Sequence, residues 1–248
     1  MNLSRRQSLK TLAVTAACQS APRTAFAAPS PKIRLIVLDV GGTIIEDHGD
    51  VPDALQSAFS KHGVTVTPDE IAQWRGASKQ EIVRHFVGPD KEKLVGAIYA
   101  DFTARVIGAY KGVPAIAGVE KAFQQLLQAG YLLAATTGFS HEIAASIFQR
   151  LGWEKYFAAV ISSDDVTQGR PAPYMIFHAM EATRVASVAE VITAGDTPLD
   201  LQAGTNAGVR GVIGVLSGAS KEERLRPEPH TDILPSVAEL PALIASKY

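Results

Sequence analysis

From Pro114 onward, apolar runs of strand length alternate with helical patterns, and this rhythm leaves few folds open to the chain. A helix is expected from Val119 to Gln128, ended by Gly130, then a strand from Tyr131 to Thr136 and a helix from His141 to Leu151, ended by Gly152. Strand Phe157 to Ser162, helix Pro173 to Arg184, strand Glu190 to Ala194, helix Leu199 to Asn206 and strand Gly211 to Val215 continue the series. Strands separated by helices in this way form parallel βαβ units with right-handed crossovers. Upstream, Leu35 to Leu38 is an unbroken apolar run, which suits a central strand covered on both faces. The chain therefore reads as α/β with a doubly wound parallel sheet. A short strand near Asp232 to Leu234 and a helix from Ser236 close it, after an exposed loop at Pro227 and Pro229.

Polar residues gather where the strands stop, which in open α/β sheets is where ligands bind. Asp39 ends the first run, and Gly41 and Gly42 let the backbone turn at once. Thr136-Thr137-Gly138 ends the second core strand, Gly169-Arg170-Pro171-Ala172-Pro173 follows the third, and Gly195-Asp196-Thr197-Pro198-Leu199-Asp200 ends the fourth. Hydroxyl and backbone N–H groups suit phosphoryl oxygens, a fixed cation suits paired negative charge, and hard carboxylate oxygens suit magnesium. Each segment alone has a plainer explanation, as a turn cap, a helix cap, a surface Arg or a helix start with favourable acids. Their appearance in order at successive strand ends argues for one site.

Between about Asp47 and Gly112 strand character is lost. Val51 to Gly63 carries Leu55, Ala58 and Phe59 at helical spacing, and Thr67-Pro68-Asp69-Glu70 starts a second helix with a cap, a proline and early acids. Gly76-Ala77-Ser78 breaks it, Lys79 to Phe86 resumes, and Leu94 to Tyr110 gives a longer amphipathic helix. The expected division is a core from residues 32–46 and 113–248 with an all-helical insertion from 47–112.

At the N-terminus, Ser4-Arg5-Arg6-Gln7-Ser8-Leu9-Lys10, a short apolar run and Ala25-Phe26-Ala27 resemble a twin-arginine signal peptide spanning residues 1–27. The expectation is export to the periplasm by the twin-arginine translocase. A competing reading takes Thr15-Ala16-Ala17-Cys18 as a lipoprotein box, although Leu is usual where Thr15 stands. Removing residues 1–27 leaves 20 basic against 25 acidic residues, a net charge of about −5, and takes away the single cysteine, Cys18. Nothing basic argues for nucleic acid, and no later apolar run is long enough for a membrane span. The six histidines show no ligand spacing, Trp153 reads as core, and Trp74 as packing or pocket wall.

The pattern Asp39-Val40-Gly41-Gly42-Thr43 after an apolar strand, with the three later segments, resembles the haloacid dehalogenase superfamily. That resemblance covers nearly all of residues 33–245. It implies a Rossmann-like core with an inserted helical cap domain, and a magnesium-dependent hydrolase of a small phosphorylated metabolite. Asp39 would be the nucleophile that carries an aspartyl phosphate, with Thr137 and Arg170 as catalytic partners. Asp39, the carbonyl of Gly41 and Asp196 would hold Mg2+, with Asp200 orienting its waters or bonding the loop. Gly42, Thr43, Gly138 and Arg75 are expected against the substrate.

Most phosphatases of that superfamily have a second Asp two residues after the nucleophile, acting as general acid and base. Gly41 stands there and cannot move a proton. Phosphonoacetaldehyde hydrolases also lack that Asp and use a cap lysine that forms a Schiff base; Lys79, in Arg75-Gly76-Ala77-Ser78-Lys79, falls on that position. Arg170 and Ser163-Asp164-Asp165-Val166 bring the chain nearest that phosphonatase-like branch. Against it, Ile82 stands where those enzymes have a His, and Arg75 where they have a Met. Two alternatives therefore stand beside ester hydrolysis: carbon–phosphorus cleavage through Lys79, and a non-catalytic phosphate- or metabolite-binding protein. The expectation is that Lys79 binds substrate electrostatically.

Overall fold

The computed structural model describes residues 32–88 and 90–248. The export-signal and lipid-anchor readings, with Arg5, Arg6 and Cys18, lie outside the described residues.

The first strand, β1, is Leu35–Asp39. Alternation along it sends Ile36 and Leu38 into one buried apolar cluster and Leu35 and Val37 into another, one on each face of the sheet. Four helices follow: α1 (Asp50–Lys61), α2 (Pro68–Ala72), α3 (Lys79–Val87) and α4 (Glu92–Ala109). The expected cap at α2 is present as a capping box, with Thr67 accepting from the N–H of Glu70 and the Glu70 carboxylate accepting from that of Thr67. Helices α1 and α3 pack on α4, and Leu55, Phe59, Ile82 and Phe102 join the same cluster as Ile36 and Leu38. The expected boundaries at 46/47 and 112/113 fall in the connections before α1 and after α4.

The alternating part runs α5 (Val119–Gln128), β2 (Leu132–Thr136), α6 (His141–Leu151), β3 (Ala159–Ile161), α7 (Tyr174–Thr183), β4 (Val191–Gly195), α8 (Pro198–Ala207), β5 (Gly211–Val215), α9 (Glu222–Leu225), β6 (Asp232–Leu234) and α10 (Leu240–Lys247). The third strand is shorter than Phe157 to Ser162, because Ser162 has already turned to cap a short 3-10 turn at Ser163–Asp165. The six strands of the described residues pair in parallel in the order β3-β2-β1-β4-β5-β6. The fold is thus a doubly wound, Rossmann-like α/β sheet. Strand order reverses between β1 and β4, so a crevice opens at the carboxyl ends of these two strands.

Candidate active site

Asp39 ends β1 and Asp196 directly follows β4, so the switch point brings them together although 157 residues of chain separate them. Asp39, Asp196 and Asp200 each offer an oxygen, and these oxygens lie within 4.8 Å of one another. All three side chains are buried.

Arg170 holds two of them. Its Nη1 lies 2.7 Å from Asp39 Oδ1 and 2.9 Å from Asp200 Oδ1, while Nη2 donates to Thr136 O and Oγ1 at 2.9 and 2.7 Å. The other Asp200 oxygen accepts from the N–H and hydroxyl of Thr197, at 3.0 and 2.6 Å, closing the capping box of α8. Asp200 is thereby spent on Arg170 and on its own helix. Asp196 Oδ2 accepts from the N–H of Ala219 at 2.6 Å. Asp39 Oδ2 and Asp196 Oδ1 share the Thr43 hydroxyl in two long contacts, at 3.3 and 3.4 Å.

Burial pushes Asp39 up to about 6; Arg170 pulls it down and Asp200 pushes it further up. Asp196 is raised well above the carboxylate range by burial, then by Asp39 and Asp200. Burial opposes the charge on Arg170, but Asp200 and Asp39 more than offset it and raise the guanidinium. Three buried acids against one guanidinium in contact leave surplus negative charge, which is costly in a desolvated site. A divalent cation fits that surplus. Asp39, Asp196 and the carbonyl of Gly41, which has no hydrogen-bond partner among the described residues, are oxygen donors of the kind magnesium takes.

Gly42 and Thr43 lie behind the carboxylates and not on the cavity wall. Gly42 has φ +78°, and a Cβ there would stand 2.6 Å from Asp196 Oδ2 and 2.9 Å from the Gly218 backbone. Thr43 is fully buried, its hydroxyl committed to the two acids.

Asp39, Gly41, Arg75, Lys79, Thr137, Gly138, Arg170 and Asp196 do share one cavity. Traced by the centre of a water-sized sphere, its volume is about 70 Å³. Thr137 Oγ1 accepts from the N–H of Phe139 at 3.2 Å, which leaves its hydroxyl proton to be donated. The N–H of Thr137 is taken by Ile161 O, whereas that of Gly138 has no partner among the described residues. Helix α3 starts against this loop: Ser78 caps it, the Lys79 N–H donates to Gly138 O at 3.2 Å, and Gly169 N–H donates to Glu81 at 2.9 Å.

Lys79 is buried, with Nζ donating to Ala77 O at 2.9 Å and 5.4 Å from the centre of the Phe139 ring. Burial lowers its pKa to about 8, with Asp39 pulling it up and Arg170 pushing it down. Arg75 does not stand free beside it. Its Nη1 is paired with Asp47 Oδ2 at 2.7 Å. Trp74 lines the cavity, and Trp153 is core, its indole donating to Glu120. Asp47, Tyr110 and Ala219 also line the cavity and were not singled out from the sequence. Tyr110 had only its place at the end of a helical pattern to mark it, and Ala219 had no signal.

A doubly wound α/β enzyme with a buried carboxylate, a fixed cation and a second acid at its topological switch point is the class that this fold and this site define. A sequence profile of haloacid dehalogenase-like hydrolases matches residues 36–215, and the chain belongs to that family. It is 30% identical over 210 residues to a phosphonoacetaldehyde hydrolase of Latilactobacillus sakei, covering 76% of this chain and 77% of that one. A phosphoglycolate phosphatase of Rhodobacter capsulatus is 27% identical over 214 residues, covering 84% and 95%. Among solved structures, a phosphonoacetaldehyde hydrolase like protein from Oleispira antarctica superposes with a TM-score of 0.76 at 22% identity, over 88% of this chain and 93% of that one; this likeness concerns the fold.

Proposed function

We propose that the protein hydrolyses a small phosphorylated metabolite through a phosphoenzyme on Asp39. The observation that carries this reading is the Asp39 carboxylate, held by Arg170 on one oxygen and met on the other by the long contact of the Thr43 hydroxyl, in one cavity with Thr137, Gly138 and Asp196. In the first step Asp39 Oδ2 forms a bond to phosphorus while the bond from phosphorus to the leaving oxygen breaks, and the alcohol takes a proton from water. In the second, water attacks the same phosphorus, releasing inorganic phosphate and restoring the carboxylate. The Thr137 hydroxyl and the Gly138 N–H donate to phosphoryl oxygens, and Arg170 offsets the charge that carboxylate and phosphate bring together. Asp39, Asp196 and the Gly41 carbonyl would hold magnesium, which when bound supplies electrostatic stabilisation of the transferring group.

Phosphate release from a panel of small phosphate esters with magnesium, in wild type and in Asp39→Asn, tests this. The Asn variant is expected to fold and to be inactive. Turnover retained in that variant sinks the mechanism, and binding without release across the panel favours a non-catalytic metabolite-binding role.

One observation favours carbon–phosphorus cleavage as a second reading. A buried lysine whose pKa is lowered to about 8 holds a far larger fraction of free amine near neutral pH than an exposed lysine does, which helps Schiff-base chemistry, and it shares the cavity of Asp39. Borohydride with phosphonoacetaldehyde decides: trapping at Lys79, with acetaldehyde released in its absence, supports this reading, and ester hydrolysis without trapping supports the first.

A further inference from the structure

Tyr110 lines the cavity of Asp39, yet no step of the proposed reaction uses it. It caps the C-terminus of α4 and is 4% exposed, and its ring meets Phe139 edge-on, the centroids 5.6 Å apart at 89°. A phenylalanine would make that contact equally well, so packing accounts for the ring and not for the hydroxyl. Buried tyrosines ordinarily give their hydroxyl a partner. That of Tyr110 hydrogen-bonds no described residue.

The charges that act on this oxygen put it on the cavity side of the ring. Burial raises the phenol above its ordinary pKa, Asp47, Asp50 and Asp39 raise it further, and Arg75 lowers it. Coulomb interactions weaken with distance, and Asp47, Asp39 and Arg75 all line the same cavity. Nor is the oxygen sealed in: among the described residues, the enclosed side-chain oxygen without a partner is that of Tyr99. The hydroxyl therefore stays protonated at neutral pH, with one O–H to give and lone pairs to receive. The phosphoryl donors Thr137 and Gly138, with Arg170, come from loops at the edge of the sheet, whereas Tyr110 comes from the end of the helical segment. What it faces is the group to which phosphorus is attached.

We propose that the Tyr110 hydroxyl hydrogen-bonds the non-phosphoryl part of the substrate and so selects for a leaving group that carries a polar oxygen beyond the ester link. This rests on the reading of the cavity as a phosphohydrolase site.

The test compares 2-hydroxyethyl phosphate with n-propyl phosphate, which differ in a terminal hydroxyl for a methyl, on magnesium-loaded wild type and Tyr110→Phe. The variant keeps the ring and its packing on Phe139. The ratio of kcat/KM, hydroxyethyl over propyl, is expected to be higher in wild type than in the variant by about fivefold or more. The different chemistry of the two leaving groups is the same in both proteins and cancels, and a purely structural loss lowers both esters alike. A wild-type ratio equal to or below that of the variant, whatever the absolute rates, overturns the inference and leaves the phosphohydrolase reading standing. Should neither ester turn over in wild type, the failure counts against that reading, and calorimetry still decides this one. The preference in Kd for the hydroxyethyl ester should then be about fivefold larger in wild type than in Tyr110→Phe; an equal or smaller preference overturns it.

Discussion

Arg170 and Asp39 form a buried ion pair in which Nη1 stands 2.7 Å from Oδ1, with both side chains under a tenth exposed. The same nitrogen reaches Asp200 at 2.9 Å. Removing the guanidinium leaves two buried carboxylates without their cation. Arg170→Ala is therefore expected to lower stability at pH 7.5 by about 3–5 kcal/mol, read from urea unfolding. It should also reduce kcat by about 10²–10³. The stability loss should shrink at pH 5, where the carboxylates it strands can take protons.

Asp39 titrates at about 6 in the folded chain against 3.8 when unfolded. Between these values the folded state holds a proton that the unfolded state has shed, so stability of the metal-free protein falls as pH rises through that window. At 1.36 kcal/mol per unit this amounts to about 3 kcal/mol. Asp196, also raised, acts in the same direction. A cation that offsets the charge restores what ionisation removed. The rise in Tm on adding magnesium should then be several degrees larger at pH 7.5 than at pH 5; an equal rise at both would show that the cation binds elsewhere.

Position 41 has room for the acid it lacks. A Cβ on Gly41 would meet only the Phe139 ring, at 3.9 Å, and its φ is not in the left-handed range. Gly41→Asp is expected to fold and to raise kcat for an alkyl phosphate by at least about tenfold, since a positioned general acid contributes about 10²–10⁴. No gain, with folding intact, would mean that proton transfer is already supplied by another group.

Gly76 has φ +88°, and a Cβ there would stand 2.5 Å from Thr197 Oγ1, the hydroxyl that binds Asp200. Gly76→Ala should displace Thr197 and lower kcat/KM by about tenfold or more. Gly63→Ala is the control, with φ +72° and nothing within 4 Å. Both substitutions carry the left-handed strain of about 1–2 kcal/mol, and only the first should affect turnover.

The strands and helices that sequence periodicity predicts are those found wherever a local signal exists. Helices at Val119–Gln128 and His141–Leu151 and strands at Gly211–Val215 and Asp232–Leu234 have the expected ends, because glycines and caps mark them. Asp39, Thr137, Arg170, Asp196 and Asp200 were legible as a site for a topological reason: parallel strands carry their carboxyl ends to one edge. The Arg75–Asp47 pair spans 28 residues, and no short-range pattern tells an arginine under a helical segment that its partner lies near that segment's start. Gly76 reads as a helix break, which it is, but its closeness to Thr197 belongs to the way the helices meet the sheet. Thr43 is expected at the substrate by the family resemblance; the turn carries its hydroxyl beneath the acids.

Asp200 gives one oxygen to Arg170 and the other to the first turn of α8. Selection for a folded protein alone would therefore keep this aspartate in a lineage that had stopped turning over substrate. Its presence in a related sequence says that α8 begins in the same way, and little about whether that relative is active. Activity is more safely inferred from Asp39, whose buried charge costs the fold stability even with Arg170 beside it and which drift would be free to replace once catalysis ceased to matter.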